Sequence, residues 1–552
     1  MEKIWFKSYP ADVPHEIDPD YYPSLVELFL TSCKKYHNLP AFSNMGTSLS
    51  YGQLDKLTRD FAAYLQQELK LKKGDRFAIM LPNLLQYPVA LFGALRAGLI
   101  VVNVNPLYTP RELIHQLNDA GVSTLLVLEN FAHTVEASQP SLSLKHILIT
   151  KVGDLFPFLK ASLVNFALKY VKKAIKPYSL PTLSFKHALL AGSHCQFEPV
   201  SVSGTDIAVL QYTGGTTGVA KGAMLTHRNL VANVMQNTAW ISPFMKAGQE
   251  VIITAIPLYH IFSLTANCLT FLAMGALDVL ITNPKDIPGF VKFISKIKFS
   301  TFTGVNTLFN ALLNNSQFKQ CDFSRMRLTL GGGMAVKKSV AERWQAVTGK
   351  PLLEAYGLTE TSPAVTINPL NLHSFNGTVG LPVPSTDISV RDDNNQELGV
   401  NQIGELWVRG PQVMRGYWNN PEETAKVFMP DGWLKTGDIA QITEKGFVKL
   451  IDRKKEMILV SGFNVYPNEV EEVLSAHPKI LEVGVVGVPD AQSGEAIKAF
   501  IVKKDPSLTK EEILRFCREQ LTGYKIPHRI EFRDQLPKTP VGKILRRELA
   551  HL

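Results

Sequence analysis

The chain has 552 residues, enough for roughly three or four domains of ordinary size, or for one large domain with a small one. Hydrophobic residues make up 45% and charged residues 19%, which excludes a disordered or fibrous chain. Lys and Arg exceed Asp and Glu by 58 − 49 = +9, a mild excess that suits an anionic substrate or a membrane surface and is the only argument for nucleic acid.

Five cysteines (Cys33, Cys195, Cys268, Cys321, Cys517) with no C-x-x-C spacing argue against a disulfide framework and a structural zinc site, and fit a reducing compartment. The first ten residues lack the apolar run of a secretory signal.

In chain order, short apolar runs predict strands at 77–81, 99–103, 124–128 and 146–150, with helical patterns at 87–96 and 110–119 between them. Residues 155–178 carry Leu155, Leu159, Leu163, Phe166, Tyr170 and Ala174 at helical spacing, with Lys169, Lys172, Lys173 and Lys176 on another face. That pattern predicts a surface helix ended by Pro177, of a kind that can also lie in a membrane interface. Further strands are predicted at 207–211, 251–256, 277–281 and 301–304, and the uncharged run 261–277 reads as a buried helix. Strands alternating with helices imply parallel, helix-covered sheets. Near residue 380 the pattern changes to short, glycine-punctuated strands such as 404–410, which predicts an antiparallel, barrel-like segment over about 380–451. The charged cluster Asp452-Arg-Lys-Lys-Glu456 marks an expected boundary between a domain of residues 1–451 and a small one of residues 452–552.

The first chemistry lies in Tyr212-Thr-Gly-Gly-Thr-Thr-Gly-Val-Ala-Lys-Gly222, directly after a predicted strand. Such a loop presents backbone N–H groups and hydroxyls, and its glycines admit a phosphate closely. Lys221 adds a point charge. The order of Lys221 and Gly222 does not match a Walker A loop, which disfavours a P-loop kinase or ATPase.

This loop resembles the phosphate loop of the adenylate-forming superfamily, which includes acyl-CoA synthetases, luciferases and peptide-synthetase adenylation domains. Gly214 and Gly215 stand where Ser-Gly is common, and Ala220 replaces a frequent proline. Other motifs follow in the superfamily's order: Gly331-Gly332-Gly333, Tyr356-Gly-Leu-Thr-Glu360, Thr436-Gly-Asp438, Asp452-Arg-Lys-Lys-Glu456 and Pro537-Lys-Thr-Pro-Val-Gly-Lys543. The stretch Met457-Ile-Leu-Val-Ser-Gly-Phe-Asn-Val-Tyr-Pro467 is most similar to bacterial long-chain acyl-CoA ligases.

The resemblance implies an α/β fold: a large N-terminal domain of helix-covered sheets with a distorted β-barrel segment, and a small α+β C-terminal domain joined by a hinge. It assigns Thr213, Gly214, Gly215, Thr216, Thr217, Gly218 and Lys221 to the phosphates of ATP. Gly331, Gly332, Gly333, Glu354, Ala355, Tyr356, Gly357 and Thr359 go to the rest of the nucleotide. Asp438 and Arg453 are assigned to ribose, Glu360 and Thr216 to Mg2+, and Glu360, His260 and Lys543 to catalysis. Lys455 matches the hinge, and Ser461, Gly462 and Phe463 face coenzyme A. Without the motif, Lys543 would read as one more solvated C-terminal cation beside Arg546 and Arg547, and Arg453 as a surface partner of Asp452.

The implied reaction joins ATP, a fatty acid and CoA into acyl-CoA, AMP and diphosphate through an acyl-adenylate. Adenylation of an aryl or medium-chain acid, or transfer to a carrier-protein thiol, stays open, as does a homodimer. The expected location is cytoplasmic, peripherally on the cytoplasmic face of the inner membrane, with no nucleic-acid partner.

Overall fold

The computed structural model describes residues 2–213, 220–490, 493–540 and 542–552. Most of the chain is built on two large sheets. The first has seven strands in the order Leu183–Ser184, His146–Thr150, Thr124–Leu128, Arg76–Met80, Ile100–Asn103, Ile207–Thr213 and Lys221–Thr226, parallel except for the last pair. Its inner strands are mostly apolar, and Thr124–Leu128 and Ile100–Asn103 are buried at every position, as a sheet covered on both faces requires. The second has nine strands. Pro40–Asn44, Leu277–Leu280, Val251–Thr254, Thr301–Gly304, Leu328–Gly331 and Leu353–Gly357 run parallel through its middle, and antiparallel strands close both edges.

Helix ends are written locally. Pro110–Ala120 starts from the Thr109 cap, with Glu112 reaching back to the Thr109 N–H, and stops at Gly121 in a left-handed conformation (φ 62°). His227–Ile241 starts from Thr226, the last residue of a strand, whose hydroxyl accepts from the Asn229 N–H. This helix is buried on nearly every face and belongs to the apolar core shared by the two sheets.

The strands expected up to residue 304 and the helices expected at 87–96 and 110–119 form within two residues of their predicted limits. The run 261–277 is a buried helix with a π-helical first part, Ser263–Leu269, then Thr270–Ala273; its last residue already belongs to the strand Leu277–Leu280. The helix expected over 155–178 is shorter. It spans Phe158–Phe166, continues as a π turn over Ala167–Val171, and ends before Pro177 because backbone beyond Lys172 leaves helical geometry at Lys173 (φ 47°).

The antiparallel expectation for about 380–451 holds, but the strands do not close into a barrel. Asp387–Arg391, Gly404–Arg409, Leu434–Ile442 and Val448–Arg453 form an open four-stranded sheet. Its last strand runs to Arg453, so Asp452 and Arg453 belong to this sheet, and a turn over 454–456 follows. The remaining residues build a smaller five-stranded sheet around the long hairpin Ile480–Asp490 and Gly494–Lys503, with separate apolar clusters of its own.

Candidate active site

A cavity of about 1630 Å³ opens between the two large sheets, the four-stranded sheet and the C-terminal segment. Its wall includes Thr213, Lys221, His260, Gly332, Gly333, Ala355, Tyr356, Gly357, Thr359, Glu360, Arg453, Lys455 and Lys543. Residues assigned by motifs far apart in the chain therefore share one enclosed space. Gly214, Gly215, Thr216, Thr217 and Gly218 lie outside the described residues.

Asp438 and Arg453 face each other as register partners on adjacent antiparallel strands. Arg453 Nε donates to Asp438 Oδ1 at 2.9 Å, and the Tyr356 hydroxyl donates to Asp438 Oδ2 at 2.6 Å. Thr436 Oγ1 accepts from the Asp438 N–H at 3.1 Å. Both carboxylate oxygens are thus oriented by charge-assisted or phenolic donors before any ligand arrives. The Asp438 charge raises the Arg453 pKa, while burial, then Asp438, raises that of Tyr356. The Arg453 guanidinium does not reach its neighbour Asp452, whose Oδ1 accepts instead from the Arg453 backbone N–H at 2.8 Å; strand alternation sends the two side chains to opposite faces.

Glu360 sits in the short turn Thr359–Thr361, and the Tyr417 hydroxyl donates to its Oε1 at 2.7 Å. Lys221 lies over the Tyr417 ring at 4.7 Å and donates to Glu423 Oε2 at 2.6 Å. That bond, with Lys426, holds the half-buried Glu423 carboxyl down at about 2. Lys221 is therefore held by a carboxylate at the cavity wall. Glu360 offers one carboxylate beside this cation, which suits Mg2+, an ion that needs only one or two protein carboxylates when phosphates supply other oxygens. No group of three or more His, Cys, Asp or Glu able to hold a metal occurs among the described residues.

His260 precedes the buried π-helical segment, and its Nδ1 accepts from the Phe262 N–H at 3.3 Å. Burial, then the Lys543 charge, pushes its pKa down to about 4, so the ring is neutral near pH 7. Lys543 stands in a tight turn closed by Thr539 N–H to Lys543 O at 2.7 Å and Lys543 N–H to Thr539 Oγ1 at 3.0 Å. Gly542 has φ +92°, and a Cβ there would stand 2.6 Å from Thr307 Oγ1. The Thr307 hydroxyl instead donates to the Gly542 carbonyl at 3.0 Å, tying this turn to the helix Asn306–Leu313. Burial, then Arg453, lowers the Lys543 pKa. Burial also lowers that of Lys455, which lines the same cavity.

Six assigned positions do not line the cavity. Gly331 and Glu354 do not line the cavity; Glu354 is buried, accepts from the Val336 N–H at 2.9 Å, and burial pushes its pKa up to about 8. Asp438 also stands behind the wall and reaches the cavity through Tyr356 and Arg453. Ser461, Gly462 and Phe463 form an exposed turn outside the cavity, where Phe463 stacks on Tyr524 at 4.8 Å.

Arg546 is the residue the sequence misplaces. Its side chain is 14% exposed, and its guanidinium forks onto Glu471 at 2.9 and 2.8 Å, with further bonds to Asp452 (3.1 Å), Glu456 (2.6 Å) and Asn468. Glu471 also meets Lys337 at 3.7 Å, and Glu472 meets it at 3.8 Å. Burial acts to raise the Glu471 pKa, but Arg546 and Lys337 outweigh it and hold it low. A chain of ion pairs thus runs from Lys337, through Glu471 and Arg546, to Asp452 on the four-stranded sheet. Arg547, by contrast, is exposed, as expected. Tyr417, Glu423 and Lys337 carried no sequence signal, since their roles depend on partners tens or hundreds of residues away.

The family model described as AMP-binding enzyme matches residues 29–418, and that described as AMP-binding enzyme C-terminal domain matches 469–543. The chain is 58% identical over 550 residues to a long-chain-fatty-acid–CoA ligase of Yersinia pestis, covering 100% of this chain and 98% of that protein. It is 39% identical over 571 residues to the Bacillus subtilis protein of the same name, with 99% and 98% coverage. Among solved structures, ATP-bound MatB from Rhodopseudomonas palustris matches with TM-score 0.81 at 27% identity, covering 95% of this chain and 98% of that one. The anthranilate CoA ligase AuaEII shares the fold, with TM-score 0.85 at 24% identity and coverage of 97% and 98%. With motifs, cavity and matches in agreement along nearly the whole sequence, the chain belongs to the AMP-binding enzyme family of adenylate-forming proteins.

Proposed function

We propose that this protein is a long-chain-fatty-acid–CoA ligase that joins ATP, a fatty acid and CoA into acyl-CoA, AMP and diphosphate. The observation that carries the reading is one cavity that is cationic and hydroxylated at the Lys221–Glu360–Arg453 side and apolar past His260, with Lys543 lining it. A carboxylate is a poor electrophile, so one of its oxygens attacks the α-phosphorus and diphosphate leaves. The CoA thiol then attacks the acyl carbonyl of the mixed anhydride, and AMP departs.

In this reading Lys221 leaves Glu423 for the polyphosphate, and Asp438, oriented by Tyr356 and Arg453, accepts from the ribose hydroxyls. Glu360 would hold Mg2+, which supplies charge neutralisation on the phosphates when bound. Lys543 stabilises charge building between the carboxylate and the α-phosphate. His260, neutral and half-buried, bounds the acyl end without adding charge. The interplay of Lys543 with a thiol-binding face calls for a rotation about Lys455; support comes from Lys455 in a turn between two sheets and from the exposure of Ser461–Gly462–Phe463 away from the cavity.

Peripheral membrane association is part of the proposal. Phe158, Leu159, Leu163 and Val171 are 70–77% exposed, beside the exposed Lys169, Lys172, Lys173 and Lys176. That combination suits insertion of the apolar face among anionic headgroups. No described helix is long and apolar enough to cross a membrane.

Product analysis tests the reaction: AMP and diphosphate are expected with palmitate and CoA, and ADP would sink it. Sedimentation with phosphatidylglycerol vesicles tests the surface. Binding is expected at low salt and lost in a Leu159→Ser, Leu163→Ser, Phe166→Ser variant; equal binding by that variant rules the surface out.

A further inference from the structure

The turn that carries Lys543 is closed mainly on itself. The Thr539 N–H donates to the Lys543 carbonyl at 2.7 Å, the Gly542 N–H to the Thr539 carbonyl at 2.8 Å, and the Lys543 N–H to Thr539 Oγ1 at 3.0 Å. The Gly542 carbonyl takes no part in that closure. It accepts from the Thr307 hydroxyl at 3.0 Å. Among the described residues this is the one hydrogen bond between the segment 537–545 and any residue before 454.

Thr307 stands on a rigid part of the large domain. It is the second residue of the helix Asn306–Leu313, which follows the strand Thr301–Gly304 in the interior of the nine-stranded sheet, and Phe309, Leu312 and Leu313 bury that helix on another face. A hydroxyl has one proton to give. A helical threonine commonly gives it to a backbone carbonyl of its own segment; Thr307 gives it to a carbonyl 235 residues away. The same place is closely fitted. Gly542 has φ +92°, and a Cβ there would lie 2.6 Å from Thr307 Oγ1 and 3.4 Å from Val305 Cγ2. A directed bond and a close steric fit thus meet at the residue next to Lys543, and both fix where the turn stands against the large domain.

We propose that Thr307 is a positioning residue for adenylate formation: its hydroxyl sets the register of the Lys543 turn against the large domain and releases it for the thiol step. The inference rests on the role given to Lys543 above and adds a residue that acts through it. Water replaces the bond on release, so the net hold is small, which suits a contact made and broken in each turnover.

Thr307→Val removes the proton and keeps the shape. Palmitate-driven ATP–pyrophosphate exchange is expected to fall about two- to tenfold, the worth of one neutral hydrogen bond, while thioester formation from supplied palmitoyl-adenylate and CoA stays at the wild-type rate. Thr307→Ser keeps the donor and is expected to restore exchange. A double-mutant cycle gives a second reading. Alanine at a left-handed glycine position is strained in any background, so strain alone makes the loss in Gly542→Ala equal with or without the hydroxyl. The close fit predicts instead that Gly542→Ala lowers exchange less in a Thr307→Ala background, by at least about twofold. Unchanged exchange in Thr307→Val, equal loss of both half-reactions, or no recovery in Thr307→Ser overturns the proposal, as does an additive cycle. If the Gly542→Ala proteins fail to fold, the Val and Ser variants decide alone. If Lys543→Met leaves exchange intact, the role of Lys543 itself falls, an outcome distinct from a Thr307→Val enzyme that exchanges normally while Lys543→Met does not.

Discussion

Lys543→Met separates the two half-reactions. The ammonium shares the cavity wall with His260 and Arg453, and both burial and Arg453 already disfavour its charge. Its removal should therefore not destabilise the fold. Its value is electrostatic: one charge about 4 Å from a developing anion is worth about 4 kcal/mol at an effective dielectric constant near 20. Loss of one such preorganised donor costs about 2.7–4 kcal/mol, or about 10²–10³ in rate. ATP–pyrophosphate exchange driven by palmitate should fall by that factor, whereas thioester formation from supplied palmitoyl-adenylate and CoA should stay within about threefold. Melting curves of the two proteins should overlap. Equal loss in both half-reactions, with unchanged melting, would refute the assignment of Lys543 to the first step alone.

Four further outcomes follow from the same geometry. Arg546→Met leaves the fully buried Asp452 carboxylate without a cation and Glu471, 8% exposed, with only Lys337 at 3.7 Å; a loss of about 3–5 kcal/mol is expected in denaturant melts. Tyr356→Phe removes one charge-assisted bond to Asp438, worth about 1.5–3 kcal/mol, and should raise KM for ATP about tenfold or more while changing kcat less. Lys337→Met breaks the link from residue 337 to Glu471 and Glu472; it should slow pyrophosphate exchange more than thioester formation, with Lys337→Arg restoring the balance. Finally, the depressed Lys543 pKa places loss of its proton below the range of a free lysine. Adenylation should therefore decline on the alkaline side at lower pH than an unperturbed lysine would give, and Lys543→Arg should move that decline upward in steady-state profiles.

Much of this protein is decided locally. The buried strands at 124–128 and 146–150 follow from uninterrupted apolar runs, and the helix Pro110–Ala120 from Thr109, Glu112 and Gly121, because these signals act over three or four residues. The motifs around Tyr356, Asp438 and Lys543 stood out through their resemblance to the superfamily's motifs in the same order, each a string of three to seven residues. What the chain order could not reveal was which distant residues close those groups into a working site. Arg546 reads as a solvated cation until Glu471, Glu456 and Asp452 are brought around it, and Glu423 carries no meaning until Lys221 rests on it. The segment expected to be barrel-like is an open sheet for the same kind of reason: alternation specifies faces and strand character, whereas closure depends on how four strands twist and pair across the assembled fold.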